Sequence, residues 1–253
     1  AGVYSGKDSK PGWWNHVVGP NKSIDTNKFF VICSNCLGAC RGSTGPSSGS
    51  SFDEMHGANF PDLSISDMVR AQKLLLEHLA VYQLFAVVGG SMGGMQALQW
   101  IFEYPDFPKK AIIIAATAQH SVQTIAFNEA GRRSVTGDPN WKEGNYDIGE
   151  GPTNGLSVAR MMAHITYLSD RGMEEKFGGE KRLDAQSDFE FSVQRYLDYQ
   201  GEKFINRFDA NSYLKLTEAL DRFDLVGENG LANNLKPVEA NTLIIAFSSD
   251  WLY

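Results

Sequence analysis

The chain has 253 residues, 42% of them apolar, and a formal net charge of −7. That is enough apolar matter for one large α/β domain or one domain with an insertion, and it excludes general disorder. The acidic balance argues against nucleic acid or an anionic membrane as a partner, and no apolar run approaches the ~20 residues of a membrane-spanning helix.

The first residues, Ala1-Gly2-Val3-Tyr4, resemble neither a signal peptide nor an initiator Met and read as the middle of a longer chain. Residues 5–28 are polar and loop-like. Within them Trp13 and Trp14 read either as a ligand platform or as a pair packing the loop on the core. Phe29 to Cys33 reads as a buried strand in which Cys33 packs as a small hydrophobe. Cys33, Cys36 and Cys40 form a C-x2-C-x3-C cluster without a fourth ligand, so they read as structural thiols of a reducing compartment, with no metal expected. From Gly42 to Phe60 the chain reads as a surface loop, with Asp53, Glu54 and His56 solvated rather than metal-binding. Ser66 or Asp67 can cap a helix that runs to about Leu79 and buries Val69, Leu74, Leu75 and Leu79.

The most informative stretch follows. An apolar run, Leu84 to Val88, leads into Gly89-Gly90-Ser91-Met92-Gly93, and Met95 to Phe102 reads as a helix. Strand, G-x-S-x-G and helix is the context of a nucleophile elbow, in which glycines avoid a Cβ collision and Ser91 is lifted to the start of a helix. Free N–H groups at that helix start can stabilise an oxyanion.

Ala111 to Ala116 and Thr242 to Phe247 complete four nearly continuous apolar segments, the pattern of parallel strands covered on both faces. The architecture expected is an α/β fold, a mostly parallel sheet with helices on both faces. Residues 1–119 form the first part of its core and 236–253 return to it. Residues 120–235 show only helical stretches, 155–169, 187–200 and 211–220 among them, and read as an inserted helical lid or a dimerisation module.

Arg160, His164 and Tyr167 lie at i, i+4 and i+7, within about 40° of one another on a helix. A polar stripe on an otherwise apolar helix needs partners. A bound carboxylate would suit Arg160 and Tyr167, and internal Asp or Glu partners would serve equally. A nucleophilic serine also needs a base, and the base an orienting acid, in the chain order Ser, Asp or Glu, then His. Asp250, just past Thr242 to Phe247, stands where the acid belongs. All five histidines, His16, His56, His78, His120 and His164, precede it, so a partial chain is expected.

These pieces resemble the homoserine O-acetyltransferases of methionine biosynthesis across almost the whole chain. The resemblance rests on Phe29-Phe30-Val31-Ile32, Cys40-Arg41-Gly42-Ser43-Thr44-Gly45-Pro46-Ser47-Ser48, Asp67-Met68-Val69-Arg70-Ala71-Gln72 and, most specifically, Gly89-Gly90-Ser91-Met92-Gly93-Gly94-Met95-Gln96-Ala97. Further along it rests on Ala126-Phe127-Asn128-Glu129, Ala159-Arg160-Met161, His164-Ile165-Thr166-Tyr167, Phe208-Asp209-Ala210-Asn211-Ser212-Tyr213 and Ser248-Ser249-Asp250-Trp251-Leu252-Tyr253.

The resemblance implies an α/β-hydrolase fold with a helical lid. It implies acetyl transfer from acetyl-CoA, as substrate and with no cofactor, to the hydroxyl of L-homoserine. In that scheme Ser91 is the nucleophile, Asp250 the triad acid and the Met92 backbone N–H an oxyanion donor, while Arg160 and Tyr167 hold homoserine. It also implies a cytoplasmic homodimer packed through lid helices. Early strands, the second oxyanion donor, the last strand and the catalytic His are not in these residues, so the chain alone is expected neither to catalyse nor to fold stably. The alternatives are transfer of a succinyl group to homoserine or serine, ester hydrolysis, and a non-enzymatic binding module if the protein ends at Tyr253.

Overall fold

The structure is a computed structural model that describes residues 12–49, 56–147, 149–179 and 188–253. A two-residue parallel pair, β1 (Val18–Gly19) with β2 (Ile24–Asp25), precedes the main sheet. The main sheet contains β3 (Val87–Gly90), β4 (Lys110–Ile114) and β5 (Asn241–Ile245), all parallel, in the order β3-β4-β5. The register pairs Val88 with Ile112, and Ile113 with Ile244.

Helix α1 (Ile65–His78) starts from a capping box, in which Ser64 Oγ accepts from the Asp67 N–H and Asp67 accepts from the Ser64 N–H. The cap is thus Ser64, a little ahead of the expected Ser66 or Asp67. The buried face uses Ile65, Met68, Val69 and Leu76, while Leu74 and Leu79 are exposed. Helix α2 (Met92–Glu103) packs on β3 and β4, and Met95, Leu98 and Ile101 meet Ala111, Ile113, Phe223 and Leu225 in the main core.

The helical segment follows β4. It contains α3 (Val122–Thr136), α4 (Thr153–Thr166), α5 (Asp170–Phe177), α6 (Ser192–Ile205), α7 (Ala210–Asp221) and α8 (Leu231–Asn234). Helix α4 lies between α3 and α6, and α3 also meets α7. Val135, Leu156, Ala159, Phe204 and Ala210 form a second core there. The expected single helix through Ser169 breaks after Thr166, and Ser169 caps α5 by accepting from the Gly172 N–H.

Two expectations about strands are corrected. Phe29 to Cys33 forms no strand: Phe29 stacks on Phe85 at 4.7 Å, Phe30 is 77% exposed and Cys33 is exposed. A run of β-formers becomes a strand only when a neighbour exchanges backbone hydrogen bonds with it, and no described segment does. Nor is β5 covered on both faces. Ile113 is 1% exposed, yet its ladder partner Ile244 is 63% exposed, because α2 crosses β3 and β4 only. The 42–60 segment is also less superficial than expected, since Pro46 is fully buried. His56 stacks edge-on against Phe60 at 5.6 Å, and Asp53 and Glu54 lie outside the described residues, as does the Trp13 side chain. No described helix is long and apolar enough to cross a membrane.

Candidate active site

Ser91 has φ 55° and ψ −125°, a left-handed conformation for a residue with a Cβ. Its strain is held from both sides. The Ser91 N–H donates to the Ile114 carbonyl at 3.0 Å, and the Ser91 carbonyl accepts from Gly94 N–H at 2.8 Å and Met95 N–H at 3.1 Å. A Cβ on Gly89 would stand 1.9 Å from the Gly93 oxygen, and one on Gly94 2.5 Å from the Ala116 Cβ. A Cβ on Gly93 would meet nothing within 4 Å, so the space that permits the turn is set by Gly89 and Gly94 rather than by both glycines of G-x-S-x-G. Met92 is the first residue of α2, where backbone N–H groups have no carbonyl one turn earlier to bond. They are oriented toward the region in front of Ser91, where partial positive charge at a helix start favours an anion.

Asp250 follows β5 in a tight turn, its N–H donating to the Phe247 carbonyl at 3.1 Å. Its Oδ1 accepts from the backbone N–H groups of Leu252 (2.8 Å) and Tyr253 (3.1 Å). That carboxylate therefore shapes the loop that brings Tyr253 back over the elbow, where Ser91 Oγ donates to the Tyr253 hydroxyl at 3.2 Å. Burial pushes the Tyr253 phenol up, while its hydrogen bond to Ser91 pulls it down. The Leu252 carbonyl accepts from Thr124 Oγ1 at 2.9 Å, which ties the loop to the first turn of α3.

Arg160 and Tyr167 also come together: the guanidinium lies 5.5 Å from the Tyr167 ring and 4.8 Å from that of Phe204. The partners of the stripe are aromatic faces rather than carboxylates. His164 donates to or accepts from the Tyr196 hydroxyl through Nδ1 at 2.8 Å. Burial and then the charges of Arg160, Lys176, Arg207 and Lys203 depress the His164 pKa to about 4, so the ring is neutral. The helix is less buried than expected, with Val158, Ile165 and Tyr167 exposed.

One polar centre was not foreseen. Asp221, at the end of α7, accepts from His120 Nδ1 (3.0 Å), Asn128 Nδ2 (2.7 Å) and Arg132 Nη1 (2.7 Å). Burial opposes its ionisation, but the three donors outweigh burial and hold the carboxyl below the usual range. His120 is fully enclosed, its ring 5.8 Å from that of Tyr253. The pairing spans 101 residues, and no periodicity marks it. Burial pushes Tyr213 up to about 12, and it feels Tyr167, Arg132 and Asp221 in turn.

Cys36 and Cys40 are free thiols, and burial raises both. The described residues contain no group of His, Cys, Asp and Glu that could hold a metal.

A family model described as the alpha/beta hydrolase fold matches residues 4–253. The homoserine O-acetyltransferase of Methanococcoides burtonii is 54% identical over the whole chain, which covers 53% of that protein. Among solved structures, homoserine O-acetyltransferase from Bacillus anthracis superposes with a TM-score of 0.86 at 28% identity, covering 99% of this chain and 70% of that one. Esterase E22 superposes with the same TM-score, 0.86, at 30% identity, over 97% of this chain and 70% of the esterase. The chain spans about half the length of this and two further curated relatives that it matches. By fold model and by sequence, it belongs to the α/β-hydrolase fold family and, within it, to the homoserine O-acetyltransferases.

Proposed function

We propose that the protein carrying this chain transfers an acetyl group from acetyl-CoA to the hydroxyl of L-homoserine through an acyl-enzyme on Ser91. The observation that carries this reading is the strained Ser91, set between β3 and α2 with the Met92 N–H beside it. In the first step Ser91 Oγ bonds to the thioester carbonyl and the C–S bond breaks. The serine proton leaves with the CoA thiol, and the Met92 N–H stabilises the oxyanion. In the second step the homoserine hydroxyl attacks the ester, the bond to Oγ breaks and a proton returns to Ser91. Arg160 and Tyr167 hold the homoserine carboxylate, and the helical segment 120–235 serves as the lid that limits water.

The reading makes Asp250 the acid that orients the base. Of the two histidines bonded in this part of the fold, His120 faces Asp221 and His164 faces Tyr196. The base is therefore taken to come from the additional sequence that the longer relatives possess.

The full-length protein, mixed with acetyl-CoA without homoserine and quenched rapidly, should gain one acetyl group on the Ser91 peptide. Adding homoserine should remove it as O-acetylhomoserine, and Ser91→Ala should abolish both signals. No acetyl group on Ser91 at any quench time would overturn the reading. Equal likeness to an esterase favours hydrolysis as the second reading. It wins if acetate, not O-acetylhomoserine, accumulates in the presence of homoserine. Succinyl-CoA in place of acetyl-CoA tests the donor.

A further inference from the structure

The chain is acidic, yet one part of the helical segment concentrates cations that have no carboxylate partner among the described residues. Arg132, Arg133, Arg171, Lys215 and Arg222 all form ion pairs with Asp or Glu. Lys176 and Arg195 form none with any described residue; Lys176 instead lies 4.2 Å from the Tyr196 ring centre. These two line a cavity of about 370 Å³ between α5 and α6, together with Phe177, Ser192, Tyr196 and Tyr199. That volume lies within the range of about 300–1,000 Å³ common for small-ligand sites. Among the described residues the lining includes two cations, three aromatic rings and the Ser192 hydroxyl, but no carboxylate.

Two further observations point to a ligand there. Ser192 Oγ is buried without a hydrogen-bond partner, and so is Nε2 of His164, whose other ring nitrogen bonds Tyr196 in the cavity wall. A buried polar atom left unpaired in a fold needs an explanation. In addition, Arg160 of α4, Lys176 of α5, Lys203 of α6 and Arg207 in the turn after α6 all act on His164, so the positive field extends behind the cavity wall. Arg160 in turn stacks on Tyr167, which continues the cationic row toward the lid residues assigned to the substrate.

Cations without carboxylates select an anion, and rings beside them select a planar, π-rich group. A nucleotide carrying phosphates combines the two. We infer that the cavity between α5 and α6 docks the adenine-nucleotide bisphosphate end of the acyl-CoA donor, with Lys176 and Arg195 on phosphate and Tyr199 beside the base. This rests on the acyl-CoA reading of Ser91. Docking the donor by its inert end would anchor the molecule through contacts remote from the thioester, an established route by which binding energy reaches a reacting centre. Lys176, Arg195 and Tyr199 are exposed, so their replacement leaves the fold intact.

The test titrates the full-length protein with adenosine 3′,5′-bisphosphate by calorimetry, with inorganic phosphate in a parallel arm. The bisphosphate should bind. Lys176→Ala and Arg195→Ala should each weaken it about tenfold, the loss of one charge-assisted hydrogen bond. The same variants should raise the KM for acetyl-CoA by about tenfold while kcat moves less than about twofold. Acetylation of Ser91 with bisphosphate affinity and KM unmoved in both variants would overturn the docking site and leave the proposed activity standing. Bisphosphate binding that is lost in the variants, with no acetylation of Ser91, would keep the site and remove the donor. Inorganic phosphate binding as tightly as the bisphosphate would reduce the cavity to a simple anion site and overturn the inference. So would a change of oligomeric state in the double variant without a change in KM, which would assign the cavity to an interface between copies.

Discussion

The sheet and the helical segment bury their interiors in different ways. The sheet relies on apolar contact, and within these residues, about half the length of the matched relatives, Ile113 is sealed under α2 while Ile244, one strand away on the same face, is exposed. The helical segment has a smaller apolar core and is fastened by polar groups that reach across long stretches of sequence, with Asp221 collecting donors from the β4–α3 connection and from α3 itself. An apolar layer tolerates a graded loss at its margin, whereas a buried carboxylate with three donors holds fully or fails. Ser91 lies on the strained turn after β3, and its hydroxyl meets Tyr253, whose neighbour Leu252 is bonded to Thr124 of α3.

The largest effect should come from breaking the polar fastening. Asp221→Ala leaves His120 and Asn128 without their acceptor and Arg132 with Glu129 alone, in a largely buried site, which should cost about 3–5 kcal/mol. Chemical denaturation should show this as a lower midpoint. Unaltered stability would mean that the helical segment is not held at Asp221.

A middle-sized effect should separate the two ladder partners in the sheet. Ile113→Ala should cost about 2–4 kcal/mol through lost contact and a cavity, and Ile244→Ala less than about 0.5 kcal/mol, in this chain. Equal losses in the two variants would show that β5 is covered in solution. Running the same pair in the full-length protein would then report whether added sequence seals that face.

The smallest effect should be in the pH dependence of the helical segment. His164 titrates at about 4 in the fold and near 6.5 when unfolded, so the unfolded chain binds more protons between those values. Stability should therefore be full above pH 6.5 and decline as pH falls toward 4, whereas the depressed carboxyl of Asp221 loses its contribution only below the ordinary carboxylate range. His164→Gln should flatten the first decline and leave the second. A slope between pH 6.5 and 4 that survives the substitution would assign the effect to another group.

What could be read from the sequence was what is local. The strained turn at Ser91 was legible because a short run of neighbouring residues, Gly89 to Gly94, imposes its geometry, and the place of Asp250 in the loop after β5 because the strand before it was legible. The Arg160 and Tyr167 pair was legible as a helical stripe, although its aromatic partner Phe204 was not. Phe29 to Cys33 misled because its composition suits a strand but strand formation depends on a neighbour elsewhere in the chain. The Asp221 centre and the Ser91–Tyr253 contact, separated by 101 and 162 residues respectively, left no pattern at all, since burial of a polar pair is decided by tertiary packing.

The hydroxyl of Thr124 has a mechanical meaning beyond the bond it makes. It rivets the first turn of α3 to the loop that bears Asp250, and Asp221 rivets α7 to the same side of the molecule. The helical segment is thereby pinned to the loop past β5 through α3, and α7 is pinned to α3 in turn, so a displacement of that loop is carried into both helices.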